Sequence, residues 1–158
     1  MIQTDLKKFL VDCGMPCFIP GEPILGVCIG SSLYQLPDLG WVGNGFYPFF
    51  KGFLNQSLGV NYETSTFDCK NFAAGAAFMA EVCQRQTAGH KVESALAFGW
   101  MFLRPGIEWN VPLGAGHAIN FFVSSNNNRL ELWGLEPQTG VIQSLSKIVL
   151  DTIIQGVI

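Results

Sequence analysis

Apolar and polar positions change rhythm twice along the chain. Up to residue 60 the apolar runs are short and broken by glycine and proline. Leu6–Cys13 has the spacing of a short helix. Pro16–Pro23 holds three prolines and reads as loop, and Gly40–Tyr47, with three glycines and one asparagine, reads as loop again. Phe49, Phe50, Phe53, Leu54 and Leu58 then recur at helical intervals and predict one apolar helix face over Phe49–Leu58. Thr64, Ser65, Thr66 and Asp68 are residue types that cap helices by accepting from first-turn N–H groups. Behind them, Cys69–Cys83 is rich in alanine and predicts helix. Cys69, Ala73, Ala76, Ala80 and Cys83 share one stripe of small side chains, which lets a neighbouring element approach closely.

The last third has the rhythm of strands. Ala95–Leu103 is an apolar run with Trp100 and Phe102. His117–Ser125 and Arg129–Glu136 flank Asn126-Asn127-Asn128, a turn signal. Gly140–Leu145 and Lys147–Ile158 supply one or two further strands, or a terminal helix. A helix followed by antiparallel strands predicts an α+β fold. The 158 residues fit a single domain, 1–158, with 1–60 its helical and loop part and 61–158 its helix and antiparallel sheet.

Composition narrows the function classes. Only 13% of residues are charged, about half the ~25% expected of a soluble domain. Disorder is excluded, because it needs low hydropathy and high net charge. A net charge of -3 argues against nucleic acid as partner. Mean hydropathy is +0.30, yet the longest apolar runs, Phe72–Val82 and Ile148–Ile158, fall short of the ~20 residues that span a bilayer. Met1 to Pro16 lacks the apolar core of a signal peptide, so the expected location is a reducing cytosol, without membrane association. The low charge fits either a neutral cleft or a surface that packs in a larger assembly.

Five cysteines, Cys13, Cys17, Cys28, Cys69 and Cys83, are an odd number and do not make a closed disulfide framework. With two histidines, His90 and His117, there is little to build a zinc site from. Cys69 differs from the other thiols in standing at a predicted helix N-terminus, where N–H groups and the helix dipole favour a thiolate. His117 opens a strand. A loop centred on Asn126-Asn127 sets His117 opposite Glu136, at the open end of an apolar face made by Ile119, Phe121, Val123, Leu130 and Leu132. Asn120 competes for the place beside His117 but lies on the other face by strand parity. Cys69 as nucleophile, His117 as base and Glu136 as orienting acid make a coherent catalytic triad. The Cys69 N–H would donate to an oxyanion, and Gln138 is a second candidate, with Asn61 and Gln56 as rivals.

Thr66-Phe-Asp-Cys-Lys-Asn-Phe-Ala73 resembles the nucleophile helix of papain-like cysteine peptidases, and Gly116-His-Ala-Ile-Asn-Phe-Phe122 resembles their histidine strand. With Leu135-Glu-Pro-Gln-Thr-Gly140, the order resembles the papain-like domain at the C-terminus of the Marasmius oreades agglutinin, a fungal lectin with calcium-dependent proteolytic activity. The resemblance covers Tyr62 to Gly140. It implies a papain-like fold, thiolate acyl transfer on a peptide or protein substrate, and the roles just given to Cys69, His117, Glu136 and Gln138. Carbohydrate binding does not follow from it, since no lectin repeat precedes the segment. Calcium takes about six to eight oxygen ligands. Only Glu63 and Asp68 stand near Cys69, so no cofactor or metal is expected, and calcium rests on the resemblance alone. The alternative is a non-catalytic module of the same fold, structural or interacting, with an oligomer or assembly partner.

Overall fold

The computed structural model describes residues 1–22, 26–59, 68–88, 93–104, 116–145 and 153–158. Its helices are α1 (Gln3–Asp12), α2 (Tyr47–Gly52) and α3 (Cys69–Ala88). Its strands are β1 (Cys17–Phe18), β2 (Gly26–Cys28), β3 (Tyr34–Gln35), β4 (Ala95–Leu96), β5 (Phe98–Leu103), β6 (His117–Asn126), β7 (Arg129–Leu135), β8 (Ile142–Ser144) and β9 (Ile153–Val157). Seven strands form one sheet in the order β1-β2-β9-β5-β6-β7-β8, and β3 pairs with β4 beside it.

The sheet is mixed, which corrects the expected antiparallel one. β1–β2 and β2–β9 are parallel, whereas β9–β5–β6–β7–β8 are antiparallel. Two local readings hid this. Pro16–Pro23 contains the edge strand β1, which starts just after Pro16 and uses only that residue's carbonyl, an acceptor for the Val27 N–H, so the missing proline N–H breaks no rung. The end of the chain is strand rather than helix, and it inserts between β2 and β5. Gly99 shows how tight that insertion is, since a Cβ there would lie 2.0 Å from the Val157 carbonyl oxygen.

Gly40–Tyr47 is also helix rather than loop. A π-helical segment, Trp41–Phe46, runs into α2, and a second, Phe53–Leu58, follows it to Gly59 in the left-handed region. The physical reason is side-chain spacing. Val42, Phe46, Phe50 and Leu54 are buried at strict four-residue intervals, and a helix of 3.6 residues per turn would drift by about 40° at each step. Wider π turns keep these side chains in line. They pack on Phe72, Ala76 and Ala80 of α3 and on Phe98, Phe122 and Leu135 of the sheet. Phe49 and Leu58, expected on the buried face, are 49% and 56% exposed.

The β6–β7 hairpin is centred one residue later than expected. Asn127 and Asn128 both take positive φ, 48° and 63°, and form the two-residue loop. Asn126 then pairs with Arg129 and Asn120 with Leu135, so every partner moves by two residues and each side chain keeps its face. Ile119, Phe121 and Val123 pack against Leu6 and Leu10 of α1. The other face of β6 meets α3.

α3 begins where its capping signal stands. The Asp68 carboxylate accepts from the N–H groups of Lys70 at 3.0 Å and Asn71 at 3.3 Å. Thr64, Ser65 and Thr66 lie outside the described residues, as do Asn61, Glu63 and His90. Asn120, fully buried on β6, donates to the Ala73 carbonyl at 2.7 Å and the Gly99 carbonyl at 3.0 Å, tying α3 to two strands. Asn120→Ala removes both hydrogen bonds that tie α3 to the sheet and should cost about 2–3 kcal/mol in urea denaturation, a loss that an exposed control such as Asn55→Ala does not reproduce.

Candidate functional site

The site forms where α3 starts and the β6–β7 pair ends. Cys69 is the first residue of α3, and its buried side chain packs with Ala73 and Ala118 against Trp100 and Phe102. Small residues at 73 and 118 are what let the helix end settle on the sheet. His117 opens β6. Its ring Nε2 is hydrogen-bonded to the Glu136 carboxylate, with side chains 16% and 10% exposed. The two meet diagonally across the hairpin, because the shifted register no longer sets them directly opposite.

Glu136 is held from several sides. Its carboxylate accepts the Gln138 backbone N–H at 3.1 Å, and its own N–H and carbonyl bond to Val141 and Gly140. The Tyr47 hydroxyl donates to the Gln138 carbonyl at 3.4 Å. Burial, and then the nearby Glu136 charge, push the Tyr47 hydroxyl above its ordinary value. Gly140 turns back at φ +82°, and a Cβ there would lie 2.2 Å from the Tyr47 ring. Tyr47 and Asn120 are therefore supports of the site that the reading by residue type did not assign. Tyr47 gave no signal inside a segment read as loop.

The structure thus brings His117 and Glu136 together and places Cys69 next to Ala118, the neighbour of His117. Among the described residues, no hydrogen bond joins the Cys69 thiol to the His117 ring. Gln138 contributes backbone groups to the Glu136 turn. Chemically, the carboxylate fixes the orientation of the imidazole, and the α3 N-terminus favours negative charge beside Cys69. Among the described residues, no group of three or more histidine, cysteine, aspartate or glutamate side chains is placed to hold a metal ion.

The sequence matches no family model and no curated protein. Solved structures do match. A PSL1a–E64 complex superposes with a TM-score of 0.67 at 16% identity, covering 100% of this chain and 51% of that one. The Polyporus squamosus lectin bound to the human-type influenza-binding epitope Neu5Acα2-6Galβ1-4GlcNAc gives 0.65 at 18% identity, covering 100% and 49%. The chain has the fold of about half of each of these chains. It spans about half the length of the structures it matches, and at these identities the likeness shows the fold alone.

This corrects the sequence reading. The neighbours are structures of a lectin, and nothing in the comparisons shows the papain-like cysteine peptidase fold that the resemblance implied. The reading as a thiol protease or other cysteine hydrolase falls with it, and the alternative of a non-catalytic module agrees better with the neighbours. Among the described residues, no helix is long and apolar enough to cross a membrane.

All five cysteines are free. Burial raises the thiols of Cys13, Cys17 and Cys83, and that of Cys17 rises from the ordinary 9.0 to about 11. The folded chain therefore holds the Cys17 proton more tightly than the unfolded chain does. The corresponding stability is complete below pH 9.0 and is lost as pH rises toward about 11. Native protein at neutral pH should label with maleimide at Cys17 far more slowly than urea-unfolded protein does, as read by peptide mass mapping. Equal rates would show that Cys17 is not buried.

Proposed function

We propose that this chain is a structural and interaction module of a larger lectin-type assembly, whose ligand is carbohydrate rather than a peptide substrate. The observation that carries the reading is the match of the whole chain to one half of a lectin chain. The surface supports it. Phe78 on α3 is 69% exposed, and Leu58 and Phe49 stand out from the helical wall beside it. With few charges to keep such a surface apart from others, these side chains gain by being covered. The His117–Glu136 pair and Cys69 form an ordered polar corner of the module.

Light scattering after size exclusion should show an assembly larger than one chain at micromolar concentration, and Cys69→Ala should leave it unchanged. A monomer at every concentration would overturn the reading. The thiol-directed compound E64 supplies a second test, read by intact mass. An unmodified mass supports a non-catalytic module, and a stoichiometric adduct at Cys69 overturns that part of the reading, leaving assembly to the light scattering, because one of the matching structures is itself an E64 complex.

A further inference from the structure

At β1 the chain occupies part of its own sheet edge. β1 ends the large sheet and pairs with β2 alone. The carbonyls of Pro16 and Phe18 accept from the Val27 and Ile29 N–H groups, so residues 16 and 18 face the sheet. Backbone alternation then turns the N–H and C=O groups of Cys17 and Ile19 outward. Ile19-Pro20-Gly21-Glu22 is a tight turn with proline second and glycine third, and Gly21 has φ +98°, the pattern of a type II turn. The turn brings the Glu22 N–H to the Ile19 carbonyl at 3.1 Å. The Glu22 carboxylate folds back as well and accepts the Ile19 N–H at 2.9 Å. One residue therefore uses both outward groups of Ile19, as an added strand would.

Lys7 of α1 holds that carboxylate, with Nζ 2.6 Å and 2.5 Å from its two oxygens. The Cys17 thiol donates to the Lys7 carbonyl at 3.8 Å, which ties the helix to the strand it guards. The bond from Lys7, and then that from the Ile19 N–H, holds the Glu22 carboxyl below its ordinary value, so it is ionised at neutral pH. A bare edge offers a row of unpaired N–H and C=O groups to any other strand. A strand laid along β1 meets the groups of Cys17, then finds those of Ile19 occupied beside an ion pair. We infer that Glu22, held by Lys7, is an edge lock that keeps β1 from pairing with β1 of a second copy of this chain. A second copy is the partner to exclude, because one edge run antiparallel to itself across a two-fold axis satisfies its own groups. A residue without an acceptor at position 22 would keep the turn and free the Ile19 N–H.

The lock does not depend on the lectin-type reading, since the size of the wild-type chain, one copy or several, is only the baseline of its test. Full-length wild type, Glu22→Ala, Glu22→Ala combined with Phe18→Lys, and Asn120→Ala are compared at equal concentration and neutral pH. The Ile19 amide should exchange its hydrogen about tenfold faster in Glu22→Ala than in wild type, as loss of one charge-assisted hydrogen bond requires. Sedimentation velocity should show Glu22→Ala growing with time into larger species that bind thioflavin T, while wild type keeps its size. Lysine on an edge strand opposes pairing, and Phe18 is half-buried on β1, so adding Phe18→Lys should suppress the growth. Asn120→Ala, destabilised with the lock intact, should keep the wild-type size. Unchanged size in Glu22→Ala, growth that Phe18→Lys does not suppress, equal growth of Asn120→Ala, or equal exchange at Ile19 would overturn the inference.

Discussion

The close seating of α3 on β5 and β6 is the contact on which the rest of the molecule depends. It is possible because Ala73, Ala76 and Ala80 present almost no side chain to the sheet. It is fixed in register because one buried amide, Asn120, donates to a carbonyl of the helix and to a carbonyl of the neighbouring strand. Burying an amide in a core is costly unless its polar atoms are partnered; both Asn120 N–H groups are, while its Oδ1 has no partner among the described residues. Small residues set the distance and the amide sets the position along the axis. Everything at the N-terminal end of α3, including Cys69 against Ala118 and Trp100, inherits its place from that seating.

The helical wall of residues 41 to 58 answers a complementary demand. Phe46, Phe50 and Leu54 fill the groove that the alanine stripe leaves beside Phe72 and Phe98. The aromatic rings run on from one another, with Trp41 stacked on Phe46 at 5.6 Å and Phe46 on Phe50 at 5.8 Å. A regular α-helix cannot keep side chains four residues apart on so narrow a line, and the backbone widens to π turns instead. Tyr47, projecting from the same wall, then reaches the Glu136 turn and couples the wall to the polar corner of the site.

How much of this the residues announce depends on the range of the interaction. α3, its Asp68 cap, the small stripe and the β6–β7 hairpin were legible, because each is specified within a few neighbours. The pairing of faces was legible too, since strand parity survives a register shift of two. The shift itself was not, because three consecutive asparagines leave the turn centre undetermined until two of them adopt positive φ. Trp41–Phe46 was misread because glycines that punctuate a loop are also tolerated in a wide turn against a buried wall. The mixed sheet was hidden because β9 pairs with β2, more than a hundred residues away. At the site, His117 and Glu136 were found by parity alone. The short motifs around Cys69, His117 and Glu136 carried a peptidase reading that the fold neighbours overturned, because three short segments do not specify an activity.

The scarcity of charge acquires a physical location in the structure. The row Phe18, Cys28, Val157 and Trp100 and the row Gly26, Gln155 and Phe102 stand on a sheet face that carries no ionised group among the described residues. Such a face loses little by desolvation when it is covered, because there is no ion to strip of water. It gains the usual area-dependent stabilisation, about 25 cal/mol per Å² of apolar surface. The opposite face of the same strands reaches that end internally, through Leu6 and Leu10 of α1. One face of the sheet is therefore closed by α1, while on the other α3 covers β5 and β6 and, among the described residues, the rows through Phe18 and Gly26 carry no charged side chain.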